Sequence, residues 1–102
     1  MRVLVCGTRT YLNEPFMKSI LEKLDRDTVI IEGEASGADS QAKWIAKSLG
    51  LEVLEFPANW DKYGKAAGHI RNTQMLEEGK PDKVYAFFED LRLLRTLREQ
   101  RI

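Results

Sequence analysis

The chain lacks most of the features that would place it at a glance. It has one cysteine, Cys6, among its 102 residues, so no disulfide can form within it, which suits a reducing compartment. No run approaches the roughly 20 consecutive apolar residues of a membrane helix, and Met1–Val5 is too short to read as a signal peptide. A cytoplasmic protein with no membrane partner is the expectation. No charge of one sign prevails: 16 Lys and Arg balance 16 Asp and Glu, for a formal net charge of zero. That balance argues against a nucleic-acid partner, since duplex binders carry a basic excess, but a local pocket needs only two or three arranged cations. The one histidine, His69, has no cysteine or second histidine at ligand spacing, so no metal site is expected. No Lys-Ser/Thr pair follows a glycine loop, and GxGxxG is absent. Neither a Walker loop nor the dinucleotide fingerprint is there, and no cofactor is expected.

What is present is alternation. Hydrophobic residues make up 43% and charged residues 31%, a balance that folds. Val3 to Cys6 is a continuous apolar run ending at Gly7, the pattern of a strand buried on both faces. Phe16, Met17, Ile20, Leu21 and Leu24 then recur at spacings of three and four, which predicts a helix over 14–24 with Asn13 as N-cap and Pro15 in its first turn. A strand over 28–31, a helix over 39–49 closed by Gly50, and a strand over 51–56 follow. A helix over 66–78, with Ile70, Met75 and Leu76 facing inward, leads to a strand over 83–88. The leucines from Leu91 predict a fourth helix over 91–101. On it, Arg92, Arg95, Arg98 and Arg101 form a basic face or mark a truncated or shifted reading frame. Repeated β–α units joined by short connections imply a parallel sheet, because parallel neighbours need crossovers. The fold class is therefore α/β: one Rossmann-like domain over 1–102, an open parallel sheet of about four strands with helices on both faces. Ligands bind such sheets at the carboxyl ends of the strands.

Three segments sit at those ends. The first is Gly7-Thr8-Arg9-Thr10-Tyr11, where glycine permits close approach and the Arg9 fork suits phosphate or carboxylate; an ordinary tight turn with a solvated arginine fits it equally. The second, Gly33 to Asp39, sets two glycines four apart before a helix, an arrangement that presents N–H groups to an anion. Ser36 adds a hydroxyl. Asp39 suits the helix dipole as a plain surface acid, or binds a ribose hydroxyl, or orients Arg9. The third, 57–72, is longer than the usual two to six residues. Trp60 there can stack on a base or pack its loop onto the sheet. Arg71 and Asn72 lie early in a helix, where the dipole does not favour a cation, so an anionic partner is implied.

Together these segments resemble the SLOG superfamily of Rossmann-like proteins, and within it the YspA-like branch of small bacterial and phage proteins. The resemblance rests on Arg2 to Tyr11, Gly33-Glu34-Ala35-Ser36-Gly37-Ala38-Asp39, Phe56 to Trp60, Gly64 to Gly68, Ile70-Arg71-Asn72 with Met75-Leu76, and Lys80-Pro81-Asp82, and spans about residues 1 to 88. It implies a nucleotide-ligand site carrying Gly7, Thr8, Arg9, Gly33, Ser36, Gly37, Asp39, Arg71 and Asn72, with Trp60 and Lys65 beside them. Some members of the superfamily, the Lonely-guy phosphoribohydrolases, cleave the N-glycosidic bond of nucleoside monophosphates; others only bind nucleotide-like signals, and the DprA relatives bind single-stranded DNA. The superfamily's second glycine turn, after the fourth strand, is missing here: Phe88 runs into Glu89, Asp90 and Leu91, and the usual fifth strand is absent by this reading. The chain from 89 onward thus departs from the family. Binding or sensing of a phosphate-bearing, nucleotide-derived molecule is the expected function. The alternative is N-glycosidase action on a nucleoside monophosphate, with Asp39 or Glu89 as carboxylate and Arg71 on the 5′-phosphate. A domain this small, with open sheet edges, is expected to form a homodimer.

Overall fold

The computed structural model describes residues 1–8, 11, 13–35, 37–88 and 96–101, with Phe88 and 96–101 as backbone only. Arg9, Thr10, Leu12, Ser36, residues 89–95 and Ile102 lie outside the described residues.

The apolar run at the start of the chain forms β1 (Arg2–Gly7), and the alternating pleat divides its side chains between two cores. Val3 and Val5 join one cluster and Leu4 the other. The remaining strands are β2 (Val29–Glu32), β3 (Glu52–Glu55), β4 (Lys83–Phe88) and β5 (Thr96–Arg101), set in the order β3-β2-β1-β4-β5. The first four are parallel, with Leu4 level with Ile31 of β2 and Val84 of β4. Helices α1 (Glu14–Leu21) and α2 (Ala38–Ser48) connect β1, β2 and β3. Short α3 (Trp60–Tyr63), a 3-10 turn over Gly64–Ala66, and α4 (Ala67–Glu77) connect β3 to β4. Because crossovers are right-handed, the stepwise march β1-β2-β3 puts α1 and α2 on one face, and the return to β4 puts α4 on the other.

The two faces are unequally filled. Under α1 and α2, Val3, Val5, Ile30, Tyr85 and Phe87 of the sheet pack against Met17, Leu21, Ala42, Ile45 and Ala46. Phe87 anchors this core through ring contacts with Tyr11 (5.7 Å), Phe16 (6.1 Å) and Tyr85 (6.5 Å), each worth roughly 0.5–1.5 kcal/mol beyond burial. Under α4 the buried core among the described residues is Leu4, Ile31 and Met75. Leu76, expected to face inward, is 51% exposed, since one helix cannot cover five strands.

Local signals explain the ends of the elements. The Asn13 side chain accepts the Phe16 N–H at 3.3 Å and caps α1. That helix stops at Leu21 and runs into tight turns ending at Leu24, shorter than the apolar stripe suggested. Part of the long connection after β3 is helical: 60–66 form α3 and the 3-10 turn, with the Asn59 side chain accepting the Lys62 N–H at 3.1 Å.

The helix expected over 91–101 is corrected over its described part, 96–101; residues 91–95 lie outside the described residues. Thr96–Arg101 is a strand, antiparallel to β4, with Thr96 opposite Phe88 and Arg101 opposite Lys83. The sheet therefore has a fifth strand, and Arg98 and Arg101 lie on it rather than on a basic helix face. Without that pairing β4 would be an edge, with a row of unmet N–H and C=O groups. A hairpin-like return needs only a short connection, whereas a fifth parallel strand needs a crossover of a dozen residues or more. Backbone pairing outweighed the leucine spacing.

Candidate functional site

At the carboxyl end of β1, Gly7 and Thr8 turn onto the sheet itself. The Thr8 N–H donates to the Phe87 carbonyl at 3.1 Å, and the Thr8 carbonyl accepts the Ala38 N–H at 3.1 Å. A Cβ on Gly7 would run into the Phe87 carbonyl and sit 2.8 Å from Ala38 Cβ. Gly7 and Thr8 are thus packed against their own neighbours; Arg9 and Thr10, which follow, lie outside the described residues.

The turn after β2 is built differently. Glu34 apart, its residues are small, so the backbone can curl until successive N–H groups converge, and a convergent set of N–H groups takes an anion. Here the anions are the chain's own. Asp39 Oδ2 accepts from the Gly33 N–H at 3.1 Å and the Ala35 N–H at 3.4 Å, and Glu32 Oε2 accepts from the Glu34 N–H at 2.5 Å. Glu32 is fully buried and Asp39 nearly so, and Glu32 Oε1 has no partner among the described residues. Burial pushes the Glu32 carboxyl up to about 7; the Glu34 N–H opposes this, while the charges of Asp39, Glu55 and Glu34 reinforce it. Burial also raises Asp39, against the two N–H bonds and the nearby Arg71 charge. The N–H groups of 33–35 thus point inward, and Asp39 Oδ2 holds the loop.

The outer side of the same loop carries the cleft. Arg71, half-buried on α4, donates from Nη1 to the Gly33 carbonyl at 2.6 Å and from Nε to Asn72 Oδ1 at 3.0 Å. A Cβ on Gly33 would lie 2.7 Å from Arg71 Nη1, so glycine lets the guanidinium lie across the loop. Trp60, 51% exposed, stands beside it. A Cβ on Gly68 would be 3.7 Å from Trp60 Cη2 and 3.9 Å from Arg71 Nη2, so ring and cation converge there. Gly33, Glu34, Ala35, Pro57, Ala58, Trp60 and Arg71 enclose about 390 Å³.

Of the residues singled out from sequence, the structure brings Gly33, Trp60 and Arg71 to one cleft. Asn72 orients Arg71 and also lines a separate, mainly apolar groove of about 570 Å³ with Leu4, Cys6, Met75 and Val84. Gly37 is the N-cap of α2, with φ +74° and no side-chain cap. Lys65 is exposed in the 3-10 turn and is not a lining residue of the cleft. Arg9, Ser36 and Glu89 lie outside the described residues. Two acids went unread. Glu32 follows Val29-Ile30-Ile31 directly, and a charge closing a buried strand was the available sign. Glu34 lines the cleft with φ +58°, which no residue type announces. No group of three or more His, Cys, Asp or Glu among the described residues is set to hold a metal ion.

Sheet and cleft together define a Rossmann-like domain with an open, guanidinium-bearing cleft beyond the carboxyl ends of β2 and β3. The model of the YspA, cpYpsA-related SLOG family, abbreviated YAcAr, matches residues 1–63. The chain is also 31% identical over 87 residues to the Gene 61 protein of Mycobacterium phage D29, covering 76% of this chain and 70% of that protein. No solved structure matches. The chain belongs to the YspA, cpYpsA-related SLOG family, and that membership is consistent with a nucleotide-related function. The matched stretch ends at Tyr63, so it includes Gly33 and Trp60 but not Arg71.

Proposed function

We propose that the protein binds or senses a nucleotide-derived, phosphate-bearing small molecule in the cleft over β2 and β3. One observation carries the reading: Arg71 is held by the Gly33 carbonyl and the Asn72 side chain while lining an open cleft next to an exposed indole. A guanidinium has five N–H donors, so these two bonds leave others for a phosphate. An arginine already fixed loses little freedom on binding. Trp60 supplies a face for a base.

Magnitudes bound the affinity. A hydrogen bond to a charged group is worth roughly 1.5–3 kcal/mol, and base–aromatic stacking roughly 1–3 kcal/mol. A mononucleotide held by these two contacts binds in roughly the high-micromolar to millimolar range. Glu34, Asp39 and Glu55 lie around the same loop, so a monophosphate fits the local field better than a triphosphate. The N-glycosidase reading gains nothing from Asp39, whose carboxylate is engaged by the loop. The proposal extends to a homodimer, checked by light scattering in solution, and to a cytoplasmic location, checked by fractionation. No helix among the described residues is long and apolar enough to cross a membrane.

The test is a thermal-shift panel of AMP, ADP-ribose, NAD and cyclic nucleotides, with product analysis of every hit. Stabilisation with the ligand recovered intact supports binding. Release of free base moves the reading to the hydrolase, and no shift at millimolar concentrations removes it.

A further inference from the structure

Of the carboxylates around the loop after β2, three are spoken for. Asp39 and Glu32 are turned inward onto the N–H groups of Gly33, Glu34 and Ala35. Glu55 is paired with Lys43 at 3.0 Å. Glu34 differs from all three: it is exposed, it lines the cleft shared by Arg71 and Trp60, and it makes no ion pair among the described residues.

Its backbone is also unusual. Glu34 and Lys80 are the two non-glycine residues with positive φ among the described residues, and the Glu34 value is +58°. Side chains with a Cβ avoid that region, and glycine takes it freely. A glutamate kept there is held from beneath, by its own N–H on Glu32 Oε2 at 2.5 Å. The Gly33 carbonyl, one residue away, receives Arg71. Glu34 and Arg71 therefore line the same cleft.

A carboxylate repels phosphate, so Glu34 cannot share the ligand's anionic end with Arg71. What it offers is two acceptor oxygens, matched by two neighbouring hydroxyl donors, and hydroxyl-to-carboxylate bonds are short and strong. The uncharged pair of vicinal hydroxyls on a nucleotide is the ribose 2′,3′-diol. Resting on the binding function proposed above, we infer that Glu34 reads this diol, and that the cleft selects ribonucleotides with free 2′- and 3′-hydroxyls over 2′-deoxy nucleotides. Cleft chemistry then covers each part of a nucleoside monophosphate: indole for the base, guanidinium for the phosphate, carboxylate for the sugar.

The experiment titrates the full chain with the four ribonucleoside 5′-monophosphates and their 2′-deoxy counterparts, using calorimetry, for the unaltered protein, Glu34→Gln and Glu34→Gly. Loss of one hydrogen bond to a charged group corresponds to about a ten- to hundredfold change in affinity. The unaltered protein is expected to prefer at least one ribonucleotide over its deoxy form by about that factor. Glu34→Gln and Glu34→Gly are expected to bring the two series within about threefold. Glycine relieves the positive φ, so that variant melts no lower than the original, and a lost preference in it is not a folding artefact. Equal binding of both series by the unaltered protein, or a preference that persists in Glu34→Gly, overturns the diol assignment while leaving nucleotide binding in place. Binding of neither series overturns the binding function itself, and the assignment with it.

Discussion

The turns after β1 and β2 look alike in sequence, each a largely apolar strand meeting glycine, and they are built differently. Gly7 is a packing glycine. The chain behind it closes onto Phe87 and Ala38 with backbone hydrogen bonds, and rigid neighbours fill the space a side chain would need. Gly33 lines the proposed cleft. The group nearest its missing side chain is the flexible end of Arg71, and the loop around it is underpinned by two buried carboxylates. A strand-end glycine thus reports that something approaches closely; whether backbone or a functional side chain is approaching is a tertiary fact.

The sharpest way to break this contrast is Gly7→Ala. The added Cβ meets a backbone carbonyl that cannot swing aside, and overpacking of that kind costs about 3 kcal/mol. For a domain of this size that is a fall of roughly 12–20 °C in Tm, read by circular dichroism. A Tm within a few degrees of the original would show that the turn has room to spare.

Next in size is the pH dependence that belongs to the second turn alone. The Glu32 carboxyl sits at about 7 in the folded chain against an ordinary value of 4.5, so the folded state holds a proton that the unfolded state gives up. Its contribution is fully present below about pH 4.5 and is lost as pH rises through 7, a swing of about 2–3 kcal/mol. Asp39, raised as well, acts with the same sign. Urea melts at pH 5 and pH 7.5 are expected to show the lower stability at pH 7.5. Glu32→Gln keeps an acceptor for the Glu34 N–H and should flatten most of the difference. An unchanged slope in that variant would mean the buried acid does not underpin the loop.

The smallest stability effect is expected from Gly33→Ala. Arg71 can move away from the new methyl group, so stability should change by no more than about 1 kcal/mol. The displaced guanidinium should nonetheless weaken nucleotide binding by about three- to tenfold. Gly33→Ala and Gly7→Ala behaving alike would erase the distinction between the two turns.

Much of the scaffold is legible in the sequence because burial imposes its period. Val3–Cys6 reads as a two-sided strand, and the stripes of α1 and α2 read as helices. The fifth strand was not legible, since the open edge of β4 exists only once the sheet has formed, and Leu91, Leu94 and Leu97 carry a helical spacing of their own. In the site, Arg71 could be found because a cation early in a helix opposes the dipole and so asks for another reason. The direction of the N–H groups at 33–35 could not. It follows from loop dihedrals, including the +58° φ of Glu34, and it turned an expected anion cradle into one already filled by Asp39 and Glu32.

Calorimetric titration of AMP into the unaltered protein and into Arg71→Ala tests the central claim most directly. Binding in the high-micromolar to millimolar range is expected for the first, and at least about tenfold weaker binding for the second, with both chains melting within a few degrees of one another. Equal affinity in the two, or a stably folded original that binds no nucleotide, would contradict an Arg71-centred nucleotide cleft.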